Sequence, residues 1–382
     1  MYTQNMKQKL QAVVPCFLDP MLCQLFFRNY AKYKHKHIDR LIILTSAHTS
    51  TYVIGLPPGN KSVPPVGFIE KLYAKQIQDL KDLLKELGIN NYFLISDIPP
   101  NIQHGRVFSY ALEYINDPEY HTFFDEQDSY WVNDNFEAVA EQLSEYDLIG
   151  GFKAELPHLG TAEKVENFNK RYGTNHRRNE IPIVHLPQFL SNRAIQSLEK
   201  FDGDAYGHCD ISKHIDVPEN EQHIFSLDTF QILNLEVCKR TDKIKTYDRF
   251  IDYHLEPSWD IAQGILHKGP HINYGEYLLF HSVGCRMTAF SGMWNAQLSL
   301  ADFKQHNFLD YFHSSFGWDL RACFHYQSLK YFPNFEYIEA YERNFRLLTQ
   351  AYVEYFGEDM APCKNGQYFS NHDCKKLLDY IL

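Results

Sequence analysis

Apolar positions in the first 150 residues follow two alternating spacings. Short apolar runs predict strands, and longer stretches with apolar residues at helical spacing predict helices. The predicted strands are Gln11–Phe17, Leu41–Thr45, Tyr92–Ser96, Tyr120–Phe124 and Asp147–Phe152. The predicted helices are Met21–Lys34, Phe68–Leu87, Gln103–Ile115 and Phe136–Leu143. Strands that alternate with helices indicate an α/β fold, with a mostly parallel sheet flanked by helices.

The pattern loosens after about residue 155, where a polar stretch predicts an exposed loop. Further strands are predicted at Ile181–Leu190, Ile224–Val237 and Tyr277–Val283, and residues 301–356 are predicted to be mainly helical. We therefore expect three parts: a ligand-binding half (1–155), a second half (156–300) and a helical C-terminal region (301–382).

Candidate ligand residues collect at the predicted strand ends. In open α/β sheets, ligands bind outside the carboxyl ends of the strands, and Pro15, Asp97 and Asp125 lie at such ends. Asp125 also opens a cluster with Glu126 and Asp128. Carboxylates this close repel one another when buried, whereas Mg²⁺ or Mn²⁺ would neutralise them. The alternative is an acidic corner in water.

Composition narrows the function classes. The net charge of −11 argues against a general nucleic-acid binder, which normally carries a basic stripe. None of the eight cysteines forms a CxxC pair, which favours free thiols in a reducing compartment. No long apolar leader or spanning segment is present, so we expect a cytoplasmic protein that meets a membrane only peripherally. The sequence lacks the motifs of P-loop proteins, of dinucleotide-binding proteins (GxGxxG) and of α/β-hydrolases (GxSxG).

Four short motifs follow one another over about 140 residues: Val13-Val14-Pro15, Gly105-Arg106, the run Phe124–Asp128, and Asp147–Gly151. In order and spacing they resemble the nucleotide-binding half of GT-A fold glycosyltransferases, especially family 2. The resemblance implies a Rossmann-like half that binds a nucleotide sugar. The sequence departs from the family's usual motif at one position, because Gln127 stands where the family often has a second Asp.

The resemblance implies roles for particular residues. Contacts with the nucleotide would come from Pro15, Asp19, Asp97, Arg106 and Asp125. A Mn²⁺ or Mg²⁺ cofactor would be held by Asp125, Asp128 and His281, the last at the end of a late strand. Asp19 and Asp97 can equally be turn residues that cap a following helix.

The acceptor-side base is expected in the second half. Asp210 resembles the acid that begins the acceptor-side helix in the related inverting enzymes, and a carboxylate there can accept a proton as the acceptor oxygen attacks. Asp202 and Asp204 compete for this role, and an acidic loop is the structural alternative.

The expected reaction is metal-assisted transfer of a sugar, with inversion, from a nucleotide-diphosphate donor to a hydroxyl acceptor. The acceptor would be a glycan, a polysaccharide or a lipid-linked precursor. One alternative is a nucleotidyltransferase, although Val13–Asp19 lacks the usual Gly-rich loop with a basic residue. Another is a catalytically silent protein that binds a glycan or a partner, and Gln127 keeps that alternative open.

Overall fold

The computed structural model of this protein describes the following residues: 9–16, 18–46, 66–98, 107–127, 129–132, 134–150, 153–154, 183–184, 187–197, 209–210, 226–227, 241, 243–246, 250–251, 279–281, 328–356, 375 and 378–382. The strands are β1 (Lys9–Pro15), β2 (Arg40–Ser46), β3 (Tyr92–Ile98), β4 (Tyr120–Phe124), β5 (Ser129–Trp131), β6 (Leu148–Gly150), β7 (Lys153–Ala154), β8 (Ile183–Val184), β9 (Gln188–Leu190), β10 (Cys209–Asp210), β11 (Ser226–Leu227), β12 (Ile244–Thr246), β13 (Phe250–Ile251) and β14 (Leu279–His281). The α-helices are α1 (Pro20–Tyr33), α2 (Val66–Glu86), α3 (Leu112–Ile115), α4 (Phe136–Glu141), α5 (Asn192–Ser197) and α6 (Ile338–Phe356). Short 3₁₀ turns occupy His35–His37, Phe108–Ala111, Gln142–Ser144 and Leu329–Tyr331.

A seven-stranded sheet organises the described part of the chain, in the order β12-β6-β9-β4-β1-β2-β3. Strand β9 runs antiparallel to its neighbours β4 and β6, and the other pairs are parallel. The predicted α/β fold with a mostly parallel sheet is therefore confirmed. Strands β9 and β12, which come from beyond residue 155, complete this sheet.

Side chains along β1 point alternately to the two faces of the sheet and show what covers each face. Leu10, Ala12 and Val14 join the core cluster that contains the buried side of α1. Gln11 points the other way, because its amide bonds the Tyr114 carbonyl oxygen. Residues 108–115 thus cover the face opposite α1, as the period of two in a strand requires. Helix α2 packs against α1.

Helix α1 also carries the C-terminal segments. Leu329, Leu378 and Ile381 belong to the same core cluster as the apolar side of this helix. Asn29, fully buried on α1, donates to the Trp131 and Ile381 carbonyl oxygens, both at 2.8 Å, and accepts from the Trp131 N–H at 2.7 Å. One side chain therefore joins α1, β5 and the chain's last turn.

The end of α2 shows why Gly88 is needed. Its φ of +71° is costly for residues with a Cβ. The conformation lets the Ile89 N–H reach the Leu84 carbonyl oxygen at 2.9 Å, which closes the helix and returns the chain to β3.

The sequence predictions agree best where the apolar pattern is regular. Tyr120–Phe124 has the predicted bounds, and α1 and α2 begin and end within two residues of theirs. Only residues 107–115 of the predicted helix Gln103–Ile115 are described, partly as a 3₁₀ turn. Within the predicted strand Ile181–Leu190, the described residues form two short strands, β8 and β9, which belong to different sheets, and β5 was not predicted. None of the helices in the described ranges combines the length and apolar character needed to span a bilayer.

Replacing Asn29 by Ala should lower the free energy of unfolding by about 2–4 kcal/mol. The change leaves three buried backbone groups without partners. Denaturant unfolding measures it, with Asn90→Ala, at an exposed position, as the matched control. An equal effect of the two substitutions would contradict this role for Asn29.

His121 should make the fold sensitive to acid. Its Nδ1 accepts from the Asn192 N–H at 3.0 Å, at the start of α5. Burial, reinforced by Arg193, lowers the pKa of His121 to about 4. Because the unfolded pKa is about 6.5, stability present above that pH is lost as the pH falls towards 4. Unfolding curves at neutral and acid pH should show a smaller loss for His121→Gln, which accepts but does not titrate. Equal losses would exclude His121 as the titrating group.

Candidate functional site

The carboxyl ends of four parallel strands line one edge of the sheet. β1 ends at Pro15, β2 at Ser46, β3 at Ile98 and β4 at Phe124. Pro15, Asp97 and Asp125 therefore lie along this edge, as predicted. Asp97 is exposed and lies three strand spacings from Asp125, or about 14 Å. The two carboxylates are too far apart to share one ion, but they could contact two parts of an elongated ligand.

Asp125 is fully buried and forms an ion pair with Lys34, which follows α1. The Lys34 Nζ donates to Oδ2 at 2.6 Å, and the Glu126 N–H donates to Oδ1 at 3.0 Å. The Lys34 ammonium also lies over the rings of Phe26 and Phe123, at 5.1 and 5.5 Å from their centroids. Lys34 thus supplies the positive charge that sequence reasoning assigned to a metal ion.

Burial perturbs both members of this pair. It raises the pKa of Asp125 to about 6, while the nearby Lys34 acts in the opposite direction. Burial likewise lowers the pKa of Lys34, and Asp125 opposes that shift. The 2.6 Å contact favours the charged pair at neutral pH. Direct ligation of a cation or nucleotide by Asp125 stays a prediction.

Asp19 caps α1. Its Oδ1 accepts from the Leu22 N–H at 2.9 Å, and its Oδ2 accepts from the Tyr341 hydroxyl at 2.6 Å. Pro20 follows at the first helical position, where its missing N–H has no consequence. The geometry supports the capping interpretation of Asp19, and its contact with a nucleotide stays a prediction.

The loop between β4 and β5, residues 125–128, is hereafter the acid loop. In it Gln127 is 3% exposed and donates through Nε2 to the Cys23 Sγ at 3.3 Å. Its Oε1 has no hydrogen-bond partner among the described residues, and neither does the buried Ser129 Oγ just after the loop. Buried polar atoms are normally paired, so these two oxygens mark a place where a ligand group would be stabilised.

Strand β14 brings His281 to this loop. β14 pairs antiparallel with β5, and His281 lies directly opposite Ser129 in the register. Directly opposed residues have their Cα atoms about 4.5–5.5 Å apart. The structure therefore brings a predicted metal ligand beside the acid loop, although the His281 side chain lies outside the described part.

The remaining candidates are less completely described. Arg106 and Asp128 lie outside the described residues, and for Asp210 only the backbone is described. Asp210 belongs to β10, which pairs with β11 in a separate two-stranded sheet. The described side chains contain no group of three His, Cys, Asp or Glu that could hold a metal ion.

Sequence reasoning missed three residues near this edge: Lys34, Ser129 and Gln188. Lys34 lies in a run of basic and aromatic residues that is typical of a solvated helix end. Gln188 opens β9 and is fully buried, with neither amide atom paired within the described part. A sequence signal did exist for Gln188, since a Gln begins an otherwise apolar strand.

No protein-family model and no curated protein matches the chain. Among solved structures it is similar to a galactosyltransferase, LgtC, in complex with donor and acceptor sugar analogs (12% identity, 71% of this chain and 86% of that chain, TM-score 0.36). It is also similar to glucosyl-3-phosphoglycerate synthase from Mycobacterium tuberculosis (10%, 63% and 68%, 0.35) and to S. aureus TarS 1–349 (9%, 91% and 91%, 0.37). Similarities this distant carry no conclusion about substrate or mechanism.

Removing Lys34 should destabilise the protein strongly. Lys34→Met leaves the Asp125 carboxylate buried without its partner, at an expected cost of about 3–5 kcal/mol in unfolding free energy near neutral pH. The double variant Lys34→Met/Asp125→Leu removes both charges and should recover most of the loss. Chemical denaturation measures both, with the exposed Lys9→Met as the control. Full stability of Lys34→Met alone would show that the ion pair is unimportant.

Proposed function

We propose that this protein transfers a sugar from a nucleoside-diphosphate donor to the hydroxyl group of an acceptor, with the donor at the carboxyl edge of the large sheet. The observation that carries the proposal is the Gln127 Oε1, a buried and unpartnered oxygen in the acid loop. The edge position, where ligands bind in open α/β sheets, supports it further.

The residues present fit a divalent cation in part. An amide oxygen such as Gln127 Oε1 is a suitable ligand for Mg²⁺ or Mn²⁺ and adds no charge. Asp128 would supply the carboxylate and His281 a further ligand, whereas Asp125 is already neutralised by Lys34. When bound, the cation would stabilise the negative charge of the leaving diphosphate as a Lewis acid.

The chain's own residues would position the donor. The Lys34–Asp125 pair fixes the point where the acid loop leaves β4, and the Gln127–Cys23 contact holds the loop against α1. Asp97, exposed about 14 Å along the edge, would contact the far, nucleoside end of an elongated donor. Pro15 and Arg106 would contribute to the same binding region.

Residues of the second half (156–300) would activate the acceptor hydroxyl. Asp210 would accept the proton of the acceptor hydroxyl in an inverting reaction. We further propose a glycan, polysaccharide or lipid-linked acceptor that is met in the cytoplasm or peripherally at a membrane.

One observation favours a catalytically silent binding protein instead. The first carboxylate of the acid loop is neutralised within the protein, so a cation is not required for its burial. Such a protein could bind a nucleotide or glycan without transferring a sugar. Hydrolysis of the donor in the absence of acceptor separates the two functions, because only the enzyme would release the sugar.

A thermal-shift screen tests the proposal. UDP, GDP, CMP and dTDP, and their sugar conjugates, are screened with and without Mn²⁺. One nucleotide series should stabilise the wild type in a Mn²⁺-dependent way, by about 2.7 kcal/mol at a hundredfold excess over Kd. Asp128→Ala and Gln127→Leu should lose the Mn²⁺-dependent part of the shift.

Gln78→Leu is the control, because Gln78 is exposed on α2 and bonds only Asp82 among the described residues. It should respond as the wild type does. A wild type that none of these nucleotides stabilises, at saturating Mn²⁺, would overturn the proposed function.

A further inference from the structure

Two glutamines of the large sheet are fully buried, and they differ in one respect. Gln11 on β1 uses its whole amide: Nε2 donates to the Tyr114 carbonyl oxygen at 2.6 Å and to the Thr122 Oγ1 at 2.9 Å, and Oε1 accepts from the Arg40 Nε at 3.0 Å. Gln188 on β9 uses none of it, since neither Nε2 nor Oε1 has a partner among the described residues. Gln11 is therefore the reference in this sheet for a buried amide that has its hydrogen-bond partners.

An unpaired amide makes Gln188 unfavourable for folding. Burying an amide without hydrogen bonds costs free energy, whereas Leu or Met would fill similar space without that cost. Each such group in a folded protein calls for an explanation, and a ligand that completes its hydrogen bonds is a specific one. A glutamine at this position therefore indicates a requirement other than stability.

Gln188 lies at the edge where the proposed donor binds. It is opposite Phe124, the last residue of β4, and opposite Gly150, the last residue of β6. Directly opposed residues of antiparallel strands share a face of the sheet. Gly150 has no side chain, so its position beside Gln188 presents only backbone to that face.

The amide chemistry defines what would bind. A neutral amide offers two N–H donors and one oxygen acceptor, which complement hydroxyl groups because a hydroxyl both donates and accepts. It carries no charge with which to attract a phosphate. A polyhydroxylated neutral group is therefore the best match, and the proposed donor carries one next to its diphosphate.

We propose that the Gln188 amide hydrogen-bonds hydroxyl groups of the sugar that the donor carries, and so helps to select that sugar. This inference rests on the proposed function. Gln188 contributes to recognition of the sugar and not of the nucleoside diphosphate, which the acid loop and the β3 end would bind.

The first arm of the test measures stability without ligand. Gln188→Leu should melt at the same temperature as the wild type or higher, because it removes unpaired polar atoms. Gln11→Leu, the matched control, should melt at a clearly lower temperature, because it removes the hydrogen bonds that Gln11 makes with Tyr114, Thr122 and Arg40. Gln188→Met, closer in shape, repeats the arm if the Leu variant folds poorly. A drop for both Gln188 variants as large as that for Gln11→Leu would overturn the inference.

The second arm measures binding by calorimetry to matched probes: UDP with UDP-glucose, GDP with GDP-mannose, and dTDP with dTDP-glucose. For the pair that the wild type binds, Gln188→Leu should weaken the nucleotide sugar about tenfold or more, as expected for a lost hydrogen bond. Its affinity for the nucleoside diphosphate alone should stay unchanged.

The outcomes separate this inference from the function on which it rests. Wild-type binding of a nucleotide sugar that Gln188→Leu and Gln188→Met retain unchanged overturns only the role of Gln188. Equal weakening of the nucleotide sugar and the bare diphosphate also overturns it. Failure of the wild type to bind any of the six probes overturns the proposed function and this inference together.

Discussion

The buried contact between Lys34 and Asp125 is the constraint on which the rest of the site depends. It joins the residue after α1 to the residue after β4, two positions 91 apart in sequence, with almost no access to water. A charge buried in this way must be paired, because a lone carboxylate or ammonium in the core is very unfavourable. The pair therefore fixes where the acid loop begins relative to α1, and Asn29 and Asp19 attach the C-terminal segments to the same helix.

This constraint changes the chemistry expected at the sheet edge. With Asp125 neutralised internally, three groups near the acid loop and the start of β9 that lack a hydrogen-bond partner among the described residues are neutral: the Gln127 Oε1, the Ser129 Oγ and the Gln188 amide. In the function that we propose, such an edge would recognise hydroxyl groups and supply an oxygen ligand to a cation, and Asp128 would supply the negative charge. The site that we propose is thus less acidic than the run Asp125–Asp128 indicates, and its selectivity would come mainly from hydrogen bonds.

The limits of sequence reasoning follow from which interactions are local. The apolar run Tyr120–Phe124 and the amphipathic pattern of α2 determine those elements, and both were predicted closely. Strand β5 has three residues and depends on long-range bonds from Asn29, so no local pattern indicates it. The partner of Lys34 could not be predicted for the same reason. In contrast, the sequence did predict the placement of Pro15, Asp97 and Asp125 at one edge, because parallel strands bring their carboxyl ends together.

The most direct test of the central claim is a titration of the protein with Mn²⁺, in which electron paramagnetic resonance counts free Mn²⁺ with and without the nucleoside diphosphate that binds. If the acid loop holds a cation together with a diphosphate, a mixture of protein and nucleotide should leave less Mn²⁺ free than the binding by each one separately accounts for, because both supply ligands to the same ion. Asp128→Ala should abolish this extra binding. Mn²⁺ binding that never exceeds the sum for protein and nucleotide measured separately would contradict a cation site at this edge.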